Sequence, residues 1–275
     1  MLRRLLGELR RLETRDRFTF SVVISDNDPK ESARPVVEDA LSSYPVPIDY
    51  VTEPRRSISL ARNAAVAKAN GDAIAFIDDD EWPQPDWLIS HVSALQRPGV
   101  AGVLGPVRPY FEQPPPKWVV RGRFCERPEH ETGFVIPWRE SRTGNVLFRR
   151  QILDGVDPVF LPQFGSGGSD VNFFARMMER GHRFIWCNEA VVYEEVPPSR
   201  WRRRFMLSRA LLRGANQAQA LWERPDLGFK AVALSLIAVP AYTIMLPFLF
   251  LAGHHHFMKY LVKWCDHAAR LLGLF

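Results

Sequence analysis

The sequence predicts an α/β layered domain carrying an apolar helical tail, and three observations support this. Segments of helical and strand-like character alternate from Leu2 to Ile77. One of the strands, Ala73 to Ile77, is an unbroken apolar run that stops on three successive carboxylates, Asp78, Asp79 and Asp80. Near the other end, Ala231 to Ala252 contains no formal charge.

Leu2, Leu5, Leu6, Leu9 and Leu12 recur at helical spacing with arginines between them, which predicts an amphipathic helix packed on a core. Phe18 to Ser25 reads as a strand ending in the polar loop Asp26-Asn27-Asp28-Pro29. Glu38 to Tyr44 reads as a helix and Ile48 to Val51 as a strand. Ser57 or Ser59 is placed to cap a helix running to Gly71. Beyond residue 100 the periodicity loosens. Pro114-Pro115-Pro116 and a Trp/Arg-rich stretch to Trp138 predict loop with short elements. A helix from Ser169 to Arg180, closed by Gly181, and strands at Phe184 to Cys187 and Ala190 to Tyr193 complete the domain. The expected boundaries are 1–222 for the α/β domain and 223–275 for a membrane-associated helical tail.

At 275 residues and 46% hydrophobic content the chain is long enough for a large core plus an appendage. The net charge of +5 is concentrated, with basic residues crowding between Arg200 and Lys230 against only Glu223 and Asp226. Because an apolar segment follows directly, anionic lipid or a phosphorylated substrate is a better match for this patch than nucleic acid. Nucleic-acid binding also needs stacking aromatics or a reading helix, and only the charge is present. Cys125, Cys187 and Cys265 are isolated thiols without metal spacing, which suits a reducing compartment. Met1 to Arg17 has no apolar signal core, so the catalytic body is expected in the cytoplasm. The stretch Ala231–Ala252 can cross a bilayer, although Pro240 and Pro247 leave open a kinked span, a hairpin returning to the same side, or a buried helix. Phe257 to Phe275 mixes cations with leucines and aromatics, as a segment lying along a membrane surface does.

The three aspartates stand where side chains at the end of a strand face a ligand crevice. Adjacent carboxylates repel unless a cation compensates, and hard oxygen ligands suit Mg²⁺ or Mn²⁺. A solvated acidic turn is the bland alternative. An aspartyl-phosphate phosphatase is disfavoured, because it needs a small residue two positions after the second aspartate, where Trp82 stands.

The run SISLARNAAVAKANGDAIAFIDDDEWPQPDWL from Ser57, then GPV at Gly105, TGN at Thr143 and GGSD at Gly167, resembles the family 2 glycosyltransferases with the GT-A fold. VYEEVPPSRW, from Val192, is similar to the branch that builds exopolysaccharides such as succinoglycan. The resemblance covers Met1 to about Gln219. It implies a Rossmann-like, mostly parallel sheet between helices and an inverting hexosyl transfer from a nucleotide-sugar, by expectation a UDP-sugar such as UDP-glucose. The implied acceptor is a lipid-linked or polysaccharide glycan, at the cytoplasmic face of the bacterial inner membrane.

Carried over by position, the resemblance implies that Asp26 contacts the base, Arg62 the nucleotide, and Asp78 the nucleotide or ribose, with Asp79 beside it in the donor site. Asp80 becomes the metal ligand and Asp170 the general base on the acceptor hydroxyl. By spacing alone Asp170 reads equally well as a helix cap. Arg200 and Trp201 match a pair that holds acceptor or diphosphate, and a membrane-facing anchor is nearly as good a reading.

Three departures accompany the match. Ser169 stands where the family usually has Glu, and Tyr193 where a metal-ligating His often stands, so Glu194 is the substitute ligand to consider. Met1 already falls within the first expected helix, which implies a missing first strand and an N-terminally truncated or mis-started chain. These departures favour a rival reading, a degenerate non-catalytic GT-A module within a glycan-assembly complex. Retention of Asp26, Arg62, Asp78, Asp80 and Asp170 favours the enzyme.

Overall fold

A computed structural model describes residues 1–42, 44–165, 167–223 and 225–273. Arg224 of the basic cluster, and Leu274 and Phe275 of the final segment, lie outside the described residues. The chain divides into two compact units, Met1–Arg108 with Arg127–Glu194, and Pro109–Glu126 with Glu195–Phe275.

In the first unit α1 (Leu2–Leu9) buries Leu5, Leu6 and Leu9 on one face, as the leucine spacing predicts. Then come β1 (Val22–Asp26), α2 (Arg34–Leu41), β2 (Ile48–Thr52), α3 (Ile58–Lys68), β3 (Ala73–Ile77), β4 (Glu81–Pro83), α4 (Trp87–Leu95) and β5 (Gly102–Leu104). β1 lies further along the chain than Phe18 to Ser25 suggests, so Asp26 closes the strand instead of opening the loop. α2 begins at Arg34-Pro35, earlier than Glu38, because proline's fixed φ suits a first helical turn. Ser57 is the α3 cap, its Oγ accepting from Leu60 N at 3.4 Å.

β6 (Val107–Tyr110) and α5 (Lys117–Gly122) are short elements of the kind expected in the aperiodic stretch, and β7 (Asn145–Arg149) follows where the sequence assigns no strand. α6 (Ser169–Glu179), β8 (Phe184–Trp186) and β9 (Val192–Glu195) fall within a residue or two of expectation.

The largest sheet has the order β3-β7-β5-β8. β7 is antiparallel to both neighbours while β5 and β8 are parallel, so the sheet is mixed where the family resemblance implies a mostly parallel one. Along β7, Leu147 faces a core shared with Leu5, Trp87, Val103 and Ile185. Val146 and Phe148 face the opposite core, with Phe160, Phe173 and Phe184. A strand buried on both faces has no polar alternation, which is why its sequence gives no strand signal. β1 and β2 pair in parallel beside it as a separate two-stranded sheet. β4 pairs antiparallel with β9.

The second unit contains α5 and the helices α7 (Arg203–Glu223), α8 (Pro225–Ala252) and α9 (His254–Leu272). Its second segment begins at Glu195, and within it α7 packs on α9. The seam is tight: a Cβ on Gly214 would stand 2.3 Å from Asp266 O. Arg213 also pairs with Asp266 across it. α8 is one continuous helix containing Pro240 and Pro247, so the hairpin within Ala231–Ala252 is not formed. Of those 22 residues only Ser235 and Ala238 are buried, and Leu251 is 84% exposed, which sets the buried-helix reading aside. At about 1.5 Å per residue the stretch is long enough to cross a bilayer. α9 packs on α7 and α8, which gives the final segment a protein-facing side.

Candidate active site

The acidic loop is built on a buried carboxylate that the sequence reading passed over. After β3, the chain turns through Asp78–Asp80 and enters β4 at Glu81, whose N–H donates to Asp78 O at 3.1 Å. Glu81 is 2% exposed and its Oε2 accepts from Asp78 N at 3.2 Å, closing the turn from inside. Burial, then the Asp78 charge, pushes the Glu81 carboxyl well above the usual range, with Arg127 opposing at 3.9 Å. Arg127 also pairs with Glu194, which lies directly across from Glu81 in the β4–β9 ladder. One guanidinium thus bridges two carboxylates that would otherwise repel. Gly144 of the TGN motif packs against this group, since a Cβ there would fall 2.7 Å from Glu81 Oε1. Glu81's place directly after the aspartates was the available signal, whereas nothing in the aperiodic stretch around Arg127 marked it.

The third residue of that motif, Asn145, is a core clamp. Its Oδ1 accepts from Trp87 Nε1 at 2.8 Å and contacts His91 Nε2 at 2.7 Å, and its Nδ2 donates to Pro106 O and Ala190 O. Burial lowers the His91 pKa to about 4, the Asn145 bond opposing, so this imidazole is neutral at pH 7.

Arg62 joins three segments. From α3 its Nη1 donates to Ser169 Oγ at 2.7 Å, its Nη2 stands 4.0 Å from Asp78 Oδ1, and its guanidinium lies 5.6 Å from the Phe160 ring. The neighbouring Asn63 exchanges two 2.8 Å bonds with the Phe160 backbone. The Arg-Asn pair therefore fixes α3 to the segment leading into α6. Ser169, the departure from the family's Glu, is 1% exposed and serves as Arg62's acceptor.

Asp78 keeps 51% of its side-chain surface open. Desolvation by the surrounding protein nevertheless raises its carboxyl; Arg62 and Arg127 counter this, and Asp80 and Asp170 add to it. The structure therefore brings together Arg62, Asp78, Asp80 and Asp170. Asp79, next in the loop, is exposed. Gly168, at φ +82°, is the N-cap of α6, so Asp170 lies inside the first turn and is not the cap. Its Oδ1 accepts from Val171 N at 2.9 Å.

Asp26 is 7% exposed and its oxygens are taken up internally. Oδ1 accepts from Asp28 N at 2.9 Å, and Oδ2 from Ala33 N at 2.9 Å and the Tyr50 hydroxyl at 2.8 Å. Burial and then this bond push Tyr50 up to about 12. Asp26 thereby shapes a loop, and a cavity of about 300 Å³ opens beside it, lined by Asn27, Asp28, Arg56, Ile58 and Gly165.

The remaining sequence-predicted residues sit elsewhere. Tyr193 accepts from Gln84 at 3.0 Å and stacks on Trp82. Arg200 and Trp201 belong to the second unit, where Trp201 is 8% exposed and packs on Phe111, Val119 and Val196. A buried ring in that position is a core residue and not a membrane-facing anchor.

Among the described residues no group of three or more His, Cys, Asp and Glu side chains could cage a metal. Mg²⁺ or Mn²⁺ does not require a cage, because one or two carboxylates suffice when substrate phosphates complete the shell. The hard oxygens of Asp78 and Asp80, whose mutual repulsion helps to raise Asp78, fit such an ion.

A mixed α/β sheet ending in an acidic loop, with an arginine and a helix terminus converging on it, defines a glycosyltransferase of the GT-A fold. A family model described as glycosyl transferase family 2 matches residues 1–156. The succinoglycan biosynthesis protein ExoM of Rhizobium meliloti (strain 1021) is 34% identical over 223 residues, which are 80% of this chain and 71% of that protein. The chain belongs to glycosyltransferase family 2. Among solved structures, S. aureus TarS 1-349 in complex with UDP aligns with a TM-score of 0.56 at 16% identity, over 99% of this chain and 86% of that one. GalNAc-T7 with UDP, GalNAc and Mn²⁺ aligns with a TM-score of 0.57 at 12% identity, over 75% and 44%. At such identities the two structures speak for the fold alone.

Proposed function

We propose that this chain is an inverting hexosyltransferase that moves a sugar from a UDP-sugar to a lipid-linked or polysaccharide acceptor in cell-surface glycan synthesis. The convergence of Arg62, Asp78, Asp80 and Asp170 at the end of β3 carries the reading. Likeness to a succinoglycan biosynthesis protein supports the product class, and UDP in a structural neighbour supports the donor.

In this reading Asn27, Asp28 and Arg56 receive the nucleoside in the cavity beside β1, and Asp26 fixes their loop. Arg62, Asp78 and Asp79 bind the donor, with Arg62 supplying fixed positive charge. Asp80, with Asp78, holds Mg²⁺ or Mn²⁺, which when bound neutralises charge developing on the diphosphate. Asp170 accepts the proton of the acceptor hydroxyl, a role worth about 10²- to 10⁴-fold in rate. Arg200 is a candidate contact for the acceptor or its diphosphate, and Trp201 supports it from the core. Residues 1–222 carry the catalytic function and 223–275 the membrane attachment, with Ala231–Ala252 crossing the bilayer. Three cysteines that form no disulfide among the described residues suit the cytoplasmic face of a bacterial inner membrane.

The test is calorimetric titration of UDP and Mn²⁺ into detergent-purified chain beside an Asp80→Asn variant. Micromolar binding lost in the variant supports the donor site. Absence of binding in both overturns the enzyme reading in favour of the non-catalytic module.

A further inference from the structure

The second unit contains a cavity of about 370 Å³ lined by Lys117, Trp118 and Arg121 of α5 and by Ala252, Gly253, His254 and His255 at the turn from α8 to α9. Two cations and two imidazoles line it, and among the described residues no acidic side chain does. We propose that it binds the phosphate headgroup of an anionic phospholipid and so fixes the depth of the helical unit in the membrane. The proposal rests on the membrane reading of Ala231–Ala252.

Position is the first argument. Ala252 is the last residue of the apolar stretch, whose Phe248, Phe250 and Leu251 are 69%, 61% and 84% exposed. If that surface meets lipid tails, the next residues along the chain stand at headgroup level. Gly253, at φ +138°, makes the turn there that side-chain-bearing residues rarely adopt. The 19-residue α9 then starts at the cavity, and the positive end of its dipole favours an anion.

Chemistry is the second argument. Lys117 and Arg121 are a helical turn apart and both exposed. Trp118 forms one wall, edge-on to His254 at 5.2 Å, and an indole is the side chain most at home in the headgroup layer. His254 Nε2 is closed off from solvent and has no hydrogen-bond partner among the described residues. Desolvation, then Arg203 and His255, holds His254 below the usual histidine range; desolvation, then His256 and Arg121, does the same to His255. The cations give the site its charge, and the neutral rings each offer an N–H donor.

The experiment uses the full chain reconstituted in phosphatidylcholine vesicles. Trace spin-labelled phosphatidylglycerol or spin-labelled phosphatidylcholine is added, and the motionally restricted lipid is read by electron paramagnetic resonance. Wild-type protein is expected to prefer phosphatidylglycerol. The exposed pair Lys117→Ala/Arg121→Ala should reduce that preference about fivefold or more, while Lys259→Ala/Lys263→Ala, equally basic and outside the cavity, should not. Equal losses in the two pairs indicate diffuse surface charge and overturn the site, as does absence of preference in wild type. Failure of the wild type to float with phosphatidylcholine vesicles overturns the membrane reading and the site with it. Saturable binding of inorganic phosphate in detergent, without lipid preference, assigns the cavity to free phosphate and also overturns the proposal.

Discussion

Arg62 spans from α3 to the first turn of α6, donating 2.7 Å to Ser169 Oγ while its other terminal nitrogen stands 4.0 Å from Asp78. A forked, permanently charged group can serve both partners, whereas an ammonium on a flexible stem cannot. Arg62→Lys is expected to raise the KM for the nucleotide-sugar about tenfold, equivalent to one charge-assisted hydrogen bond. Initial-rate kinetics check this, and an unchanged donor KM would remove Arg62 from the donor site.

Because Gly168 and not Asp170 caps α6, the Asp170 carboxylate can be removed at little structural cost. Asp170→Asn should lower kcat about 10²- to 10⁴-fold while UDP affinity and unfolding midpoint hold. Full activity in the variant would reduce Asp170 to a first-turn charge favoured by the helix dipole.

Asp26 is expected to behave in the opposite way. Asp26→Ala leaves the Asp28 and Ala33 N–H groups and the Tyr50 hydroxyl without their acceptor. Urea unfolding should show a loss of about 2–4 kcal/mol. A variant as stable as wild type that fails to bind UDP would instead make Asp26 a direct base contact.

Gly144 has no room for a side chain, because a Cβ there would stand 2.7 Å from the buried Glu81 carboxylate. Gly144→Ala should destabilise the chain by about 1–3 kcal/mol and weaken UDP–Mn²⁺ binding by displacing the Asp78–Asp80 turn. Thermal unfolding and calorimetry on the same preparation check both effects.

His91 sets an acid limit on stability. Its folded pKa of about 4 lies below the unfolded value near 6.5, so between those values the unfolded chain binds a proton that the folded chain does not. Stability should be unaffected by this group above pH 6.5 and fall as pH drops toward 4, by about 3 kcal/mol in all. His91→Gln should flatten that part of the curve, and an unchanged slope would place the acid sensitivity in other groups.

The sequence by itself determined the elements whose side chains face core on one side and water on the other. The leucines of α1, the Ser57 cap of α3, the apolar β3 and the helix behind Gly168 were legible because periodicity and capping are local properties. The family resemblance likewise singles out Arg62, Asp78, Asp80 and Asp170 as candidate site residues from the sequence. Tertiary structure decided what depends on burial from both sides or on partners distant in the chain. β7 was illegible because both its faces are core. Asp26's internal bonds come from Tyr50 and Ala33, Arg62's acceptor is 107 residues away, and Glu81 is closed in by Gly144 and Arg127. A carboxylate's residue type is written in the chain, but whether it faces substrate or backbone depends on which N–H groups the fold brings to it.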